Sequence, residues 1–266
     1  MKIYFISDIH LESNLNPDLD FHNDSYLILI GDICRVYPKY NLQRYYDFLY
    51  YCSLRYLKVF LIPGNNEYYN NIYLDINTVN NILQNLCLKF NNVYFLNNKT
   101  YDLNSKIRIV GSVLFNYTPL DKFKEALELQ QNCNNFKPDC RNIYIKLQNT
   151  VFPLDFRLKN AIFKFNTRFL ISEIKKAKIE NKKLIVCTHY IPSKKMMYDS
   201  NRIGSYNFYS NLDFLIKDPI IIWLFGHSHK NINLKYNNVL CSMNTLGHSH
   251  ENTKYIKNKH ISFFYI

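Results

Sequence analysis

The stretch KVFLIPGNNEYY, residues 58–69, decides the fold of this chain. It opens with an apolar run, Lys58 to Ile62, that has strand length and no polar alternation, which is typical of a strand buried on both faces. A turn at Pro63-Gly64 ends the run, and three polar residues follow at once: Asn65, Asn66 and Glu67. A buried strand that ends in a glycine turn and delivers polar groups is typical of an α/β protein with a site at the strand ends.

The same arrangement recurs along the chain, with helix-like stretches between the apolar runs. Strands are predicted over Lys2–Ser7, Tyr26–Ile30, Lys58–Ile62, Asn92–Leu96, Ile107–Phe115, Lys183–Cys187, Ile220–Phe225, Val239–Ser242 and His260–Ile266. Helices are predicted over Leu42–Leu57, Leu74–Phe90, Asp121–Gln131 and about Asp155–Asn181. Strands that alternate with helices predict an α/β sandwich, which we interpret as a single domain over residues 1–266. Residues 116–156 look like an irregular excursion, with a lid as one interpretation.

Composition limits the partners and the compartment. The net charge of +12 favours anionic partners, but the basic residues are scattered, so biased composition is the simpler explanation. No apolar run approaches the roughly 20 residues of a membrane span, and Met1 to Ser7 is too short for a signal peptide. The seven cysteines form no Cys-x-x-Cys pair, and even the closest two, Cys133 and Cys140, do not make a zinc site. We therefore expect a cytoplasmic protein with free thiols and no membrane segment.

Five of the predicted strands end in Asp, His or Asn, residue types that can bind metals. SDIH carries Asp8 and His10, GDIC carries Asp32, GNNE carries Asn65, CTHY carries His189, and GHSH carries His227 and His229. Each motif alone is often a helix cap, a turn or a structural histidine. Because ligands bind beyond the carboxyl ends of the strands in open α/β sheets, the five together predict one site. Imidazole nitrogen and hard oxygen suit Mn²⁺, Fe or Zn²⁺, and no thiolate is required.

In this order the motifs resemble the calcineurin-like metallophosphoesterases, particularly their small phosphohydrolase branch. The resemblance implies an α/β fold, a four-layer αββα sandwich of two mixed sheets, that holds two divalent ions. It implies that one ion is held by Asp8, His10, Asp32 and His229, and the other by Asp32, Asn65, His189 and His227. Asp32 would bridge the ions, and Asn65 would bind through its amide oxygen. The implied reaction is hydrolysis of a phosphate mono- or diester by a hydroxide that bridges the metals, with Asp32 and Asn66 in the catalytic centre.

Asn66 departs from the family pattern, which has a histidine near the phosphate at this position. An amide donates a hydrogen bond but cannot give up a proton. General acid catalysis typically contributes about 10² to 10⁴ in rate. We therefore expect weak hydrolysis of alkyl monoesters and better hydrolysis of esters with activated leaving groups.

Two further residues are candidates for substrate binding, together with Asn66. Arg35 would bind a phosphate in a bidentate manner, or it is a surface arginine, and both interpretations stay open. His248 lies in LGHSHE, which repeats the Gly-His-x-His spelling at residues 247–250. It would approach the metals and act as an acid, or it is a loop histidine in solvent, the simpler interpretation from sequence alone. Glu67 is expected to support its loop rather than bind metal.

Three functions remain open at this point. The first is a metal-dependent phosphoesterase acting on a phosphorylated small molecule or a nucleotide. The second is a non-catalytic relative that keeps the metals and binds a phosphate ligand, an option supported by Asn66. The third is a nuclease, which the charge of +12 permits although no clustered basic stripe indicates nucleic acid.

Overall fold

The structure is a computed structural model that describes residues 1–14, 16–20, 22–131, 139–201 and 203–263. Its strands are β1 Lys2–Ile6, β2 His22–Ile30, β3 Tyr56–Ile62, β4 Val93–Phe95, β5 Lys99–Asp102, β6 Ile107–Ser112, β7 Tyr144–Leu147, β8 Thr150–Pro153, β9 Lys183–Thr188, β10 Ile220–Phe225, β11 Asn233–Tyr236, β12 Val239–Met243 and β13 His260–Ser262. Its α-helices are α1 Lys39–Ser53, α2 Ile76–Cys87, α3 Phe123–Gln131, α4 Asp139–Asn142 and α5 Phe156–Ile179.

Two mixed sheets form the body of the protein. The first has the order β13-β1-β2-β3-β4, and the second has the order β11-β12-β10-β9-β6-β5. In the first sheet, β1 to β4 are parallel and β13 is antiparallel to β1. In the second sheet, β6, β9, β10 and β12 are parallel, while β5 and β11 run antiparallel at the edges. The carboxyl ends of the parallel strands therefore lie at one edge of each sheet.

The packing of the core confirms the four-layer αββα sandwich. Side chains such as Phe60 and Ile62 of the first sheet form one buried cluster with Ile109 and Ile185 of the second. The opposite face of the first sheet packs against α1 and α2, and the opposite face of the second packs against α5. Strands buried on both faces explain the continuous apolar runs in the sequence.

Aspartate side chains cap the first turns of α2 and α5. Asp75 precedes α2 and accepts hydrogen bonds from the backbone N–H groups of Asn77 and Thr78. Asp155 caps α5 in the same way, and that helix lies within the predicted range. Within the described ranges, no helix combines the length and apolar character that crossing a membrane requires.

Several sequence predictions need correction. The predicted strand Ile107–Phe115 ends at Ser112, because Leu114 adopts a left-handed φ of +49° that the ladder cannot accommodate. The edge strands β5 and β11 were not predicted, since both are short and polar. The segment 116–156 is not irregular where it is described: it contains α3, α4 and the antiparallel hairpin β7-β8.

Two predictions reach residues outside the described ranges. The last predicted strand includes residues 264–266, and the pair of neighbouring cysteines includes Cys133. Cys34, Cys52, Cys87, Cys187 and Cys241 are free thiols, as expected.

Candidate metal centre

The two sheets bring the predicted metal-binding side chains together at the carboxyl ends of their strands. Ser7 and Thr245 form a bridge that joins the end of β1 to the end of β12 across the two sheets. Around this junction, His189 Nε2 lies 3.3 Å from Asp32 Oδ1, and His229 Nε2 lies 3.4 Å from Asp8 Oδ1. All seven side chains predicted as metal ligands stand at this edge of the sandwich.

Asp32 belongs to two of the groups whose ligand atoms all lie within 4.8 Å of one another. One group is Asp8, His10 and Asp32, and another is Asp32, His189 and His227. His10 Nε2 and His229 Nε2 face each other at 3.2 Å, which suits two nitrogens directed at one ion. The donors are nitrogen and oxygen with no thiolate, so the set fits Mn²⁺, Fe or Zn²⁺ and does not select among them.

The backbone at this centre is held in an unfavourable conformation. Five of the seven predicted ligands have a positive φ: Asp8 (54°), His10 (52°), Asp32 (54°), His227 (75°) and His229 (53°). Residues other than glycine rarely adopt this region, and each such residue costs about 1–3 kcal/mol. Concentrated strain of this kind is typical of functional sites.

Glu67 holds the loop, as the sequence predicts. Its carboxylate accepts hydrogen bonds from the backbone N–H groups of Asp32 (2.9 Å), Ile33 (2.8 Å) and Gly64 (2.7 Å). The hydroxyl of Tyr45 donates a fourth, at 3.2 Å. Burial, followed by the charge of Asp32, raises the pKa of Glu67 to about 7, and the N–H donors oppose that rise. Glu67 thereby ties the turn after β3 to the turn after β2.

The two glycines of these turns permit the close approach. A Cβ atom at Gly64 would lie 2.1 Å from Asp32 Oδ1, and one at Gly31 would lie 2.4 Å from His189 Nδ1. Both distances are shorter than van der Waals contact allows, so these positions require glycine as long as Asp32 and His189 stay in place.

Acceptor groups orient the three histidines nearest the carboxylates. The Nδ1 atom of His189 lies 2.9 Å from the carbonyl oxygen of Ile30. The Nδ1 atom of His229 lies 2.5 Å from a carboxylate oxygen of Glu251, and that of His10 lies 3.2 Å from Glu12. An imidazole that donates from Nδ1 presents its Nε2 lone pair to a metal. No sequence motif distinguishes Glu12 or Glu251.

The carboxylates make the centre strongly attractive to positive charge. Burial opposes ionisation of both partners, but the attraction between Asp32 and His189 outweighs it. The pKa of Asp32 falls to about 2, and that of His189 rises to about 10 with a further contribution from Asp8. A buried site with this field favours a proton or a metal cation.

Asn65 presents its amide oxygen to the centre. Its Nδ2 donates to the hydroxyl of Tyr69 at 2.7 Å and to Asp139 Oδ1 at 3.2 Å. The amide oxygen therefore points the other way, and it lies 3.1 Å from His189 Nε2. Asp139 and Tyr69 are further residues that the sequence did not reveal.

Asn66 stands between the centre and two charged side chains. Its backbone N–H donates to Asp32 Oδ1 at 2.8 Å. Its side-chain oxygen accepts from Arg35 Nε at 3.0 Å, and its amide nitrogen donates to Glu12 Oε1 at 2.5 Å. The guanidinium of Arg35 also lies over the ring of Tyr69, 5.5 Å from its centroid. Arg35 is thus held beside the centre, with a side chain that is 45% exposed.

His248 also lies at the centre, although the simpler interpretation of the sequence placed it in solvent. Its ring stacks on that of His10, with centroids 4.3 Å apart and an interplanar angle of 26°. The groups able to hold a metal include His10, His229 and His248. Burial, followed by the neighbouring imidazoles of His10 and His229, lowers the pKa of His248. A groove of about 620 Å³ extends from His248 past Ser13, Leu246 and Tyr255.

Comparisons with known proteins agree with this geometry. A sequence model of the calcineurin-like phosphoesterases matches residues 1–231. The chain is 29% identical over 281 residues to the uncharacterized protein L509 of Acanthamoeba polyphaga mimivirus. The aligned region covers 94% of this chain and 92% of that protein.

Solved structures share the fold. The phosphopantetheinyl hydrolase from Mycobacterium tuberculosis matches with a TM-score of 0.70 at 15% identity, over 93% of this chain and 89% of that one. A dimetal phosphatase from Danio rerio matches with a TM-score of 0.54 at 12% identity, over 93% of this chain and 87% of that one. The family match contains every strand-end motif from Asp8 to His229, and the chain belongs to the calcineurin-like phosphoesterases.

Proposed function

We propose that this protein is a metal-dependent phosphoesterase that hydrolyses a phosphate mono- or diester of a small molecule or a nucleotide. The observation that carries the proposal is the position of Asp32, a buried carboxylate shared by two groups of metal-binding side chains. One metal would be held by Asp8, His10, Asp32 and His229, and the other by Asp32, Asn65, His189 and His227. Two divalent ions, when bound, supply charge neutralisation at a phosphoryl group and activation of water.

Arg35 and Asn66 would hold the phosphate. Arg35 uses Nε for Asn66, and among the described residues nothing engages its two terminal nitrogens in a hydrogen bond, so they would be available to phosphoryl oxygens. Asn66 fixes the guanidinium and donates no proton, so the leaving group must depart without help from residue 66. His248 would contact the substituent of the phosphate, because it lines both the centre and the adjoining groove. We therefore propose a preference for activated leaving groups such as aryl oxides.

The test uses protein stripped of metal and reloaded with Mn²⁺, with an aryl phosphate monoester and an aryl phosphodiester as substrates. We expect turnover that depends on Mn²⁺ and disappears in Asp32→Asn, which changes the shared carboxylate while keeping its size. The ratio of the two rates identifies the preferred ester class. A phosphopantetheinyl ester belongs on the substrate panel, because the structural neighbour from Mycobacterium tuberculosis is a phosphopantetheinyl hydrolase.

A second candidate is a non-catalytic relative that binds metal and phosphate, which the amide at Asn66 favours. Mn²⁺ binding without turnover above the Asp32→Asn background would support this candidate and contradict the first. Single-stranded DNA in the same assay tests the nuclease alternative, whose motive is the net charge of +12. Cleavage of the DNA in preference to the small aryl esters would favour a nuclease.

A further inference from the structure

Asp139 reaches the metal centre from the segment between β6 and α5, far from the strand ends that supply the predicted ligands. Its side chain is buried, and it accepts hydrogen bonds from Asn65 Nδ2 (3.2 Å), the hydroxyl of Tyr69 (2.6 Å) and the hydroxyl of Tyr190 (2.8 Å). Lys159 Nζ of α5 lies 3.4 Å from the same carboxylate. Sequence motifs assign no function to Asp139, Tyr69 or Lys159.

The hydrogen bonds around Asp139 determine which end of the Asn65 amide faces the centre. A phenol carries a single donor hydrogen, and Tyr69 gives it to Asp139. The lone pairs of the Tyr69 oxygen can then accept a hydrogen bond from Asn65 Nδ2. The same nitrogen also donates to Asp139. Reversing the amide would place its oxygen against two acceptors and its NH₂ group against the metal centre.

Lys159 keeps this carboxylate in place. Both partners of the ion pair are buried, with Lys159 3% exposed and Asp139 8% exposed. An unpaired charge at this depth would be unstable, so each side chain constrains the other. Because Lys159 lies on α5, the pair anchors Asp139 to the helix that covers the second sheet.

We propose that Asp139 is a positioning residue that fixes Asn65 with its amide oxygen directed at a metal ion. This inference rests on the proposed function, since it requires Asn65 to bind metal. It gives the segment 116–156 one residue with a role in metal binding, because Asp139 supplies the carboxylate.

The decisive experiment is a calorimetric titration of Mn²⁺ into metal-free protein. Wild type is expected to bind two ions, and Asn65→Ala and His10→Ala identify which affinity belongs to which site. We expect Asp139→Asn to weaken the Asn65 site by about 10- to 100-fold, the usual effect of removing a group that orients a ligand, and to leave the His10 site unchanged. Tyr144→Phe is the matched control, because it removes a hydrogen bond to Arg141 within the same segment, away from Asn65.

A second variant covers the case in which Asp139→Asn does not fold, as judged by circular dichroism. Tyr69→Phe preserves the ring and removes the phenol that bridges Asp139 and Asn65, so it should weaken the same site in the same direction. Two wild-type affinities in every folded variant of this pair would overturn the role of Asp139 and leave the proposed function intact. Wild-type protein that binds none of Mn²⁺, Fe²⁺ and Zn²⁺ in this titration would overturn both.

Discussion

The contact between Asn66 and Arg35 leads to a quantitative prediction about catalysis. If Asn66 acts by holding the guanidinium, removing its side chain should matter only while Arg35 is present. The variants Asn66→Ala, Arg35→Ala and the double variant form a thermodynamic cycle that measures this dependence. Truncation at residue 66 spares the hydrogen bond to Asp32, because that bond comes from the backbone N–H.

The expected size follows from the geometry of the contact. Arg35 Nε donates to Asn66 Oδ1 at 3.0 Å, and a hydrogen bond to a charged group contributes about 1.5–3 kcal/mol. Since the side chain of Arg35 is 45% exposed, screening by water reduces the contribution to about 1–1.5 kcal/mol. With 1.36 kcal/mol per factor of ten, Asn66→Ala should lower kcat/KM by about 5- to 13-fold.

The assay is kcat/KM for an aryl phosphate ester at saturating Mn²⁺, with Mn²⁺ stoichiometry measured for each variant. Arg35→Ala should lower kcat/KM by about 10- to 100-fold, as expected for losing charged hydrogen bonds to phosphate. Adding Asn66→Ala to that variant should then cost almost nothing. Losses that add to within about 0.3–0.5 kcal/mol would show that Asn66 does not act through Arg35.

Three further changes probe the leaving group, the turn and the stability of the core. Asn66→His should raise hydrolysis of an alkyl phosphate by up to about 10²- to 10⁴-fold relative to an aryl phosphate, and an unchanged ratio of the two rates would contradict the role given to residue 66. Gly64→Ala places a Cβ atom 2.1 Å from Asp32 Oδ1, so it should abolish the rise in melting temperature that Mn²⁺ produces in wild type; an undiminished rise would show that the turn adapts. Arg108→Met removes the guanidinium that pairs with Asp102, Glu173 and Glu180, while Lys182 still pairs with Asp102 and Glu180; urea unfolding should show a loss of about 1–3 kcal/mol with Mn²⁺ binding retained. An unchanged free energy of unfolding would mean that water stabilises these carboxylates as well as Arg108 does.

The sandwich could be predicted because its central strands are buried on both faces and therefore read as continuous apolar runs. The edge strands β5 and β11 are short and partly exposed, so their sequences, KTYD and NLKY, carry no such signal. The secondary structure of the segment 116–156 was harder still to predict from its sequence. Its hairpin β7-β8 belongs to neither large sheet, and only pairing within the folded chain defines it.

The candidate site could also be predicted only in part: the sequence reveals the strand-end motifs but not the distant residues that orient them. Asp8, His10, Asp32 and Asn65 follow their strands directly, so the order of motifs suffices to group them. The groups that orient the predicted ligands come from elsewhere in the chain: Glu251, which contacts His229, lies 22 residues beyond it, and Asp139, which contacts Asn65, lies 74 residues beyond it. A single buried carboxylate in a polar segment has no distinguishing pattern, so only the structure connects Asp139 to Asn65.

The geometry of the candidate metal ligands does not depend on a proton donor at residue 66. The absence of the family histidine therefore affects the leaving group and not the metal centre. The backbone N–H of Asn66 supports Asp32, and it does so whatever side chain residue 66 carries. Glu67 maintains the turn through three backbone N–H groups, and the strained residues at positions 8, 10, 32, 227 and 229 remain in place. Under the proposed function, what changes is the group that would face the phosphate: the imidazole of the family pattern is replaced by an amide that holds a guanidinium. Because a guanidinium stabilises phosphoryl charge but does not protonate a leaving oxygen, the substitution should narrow the range of leaving groups while the metal centre persists.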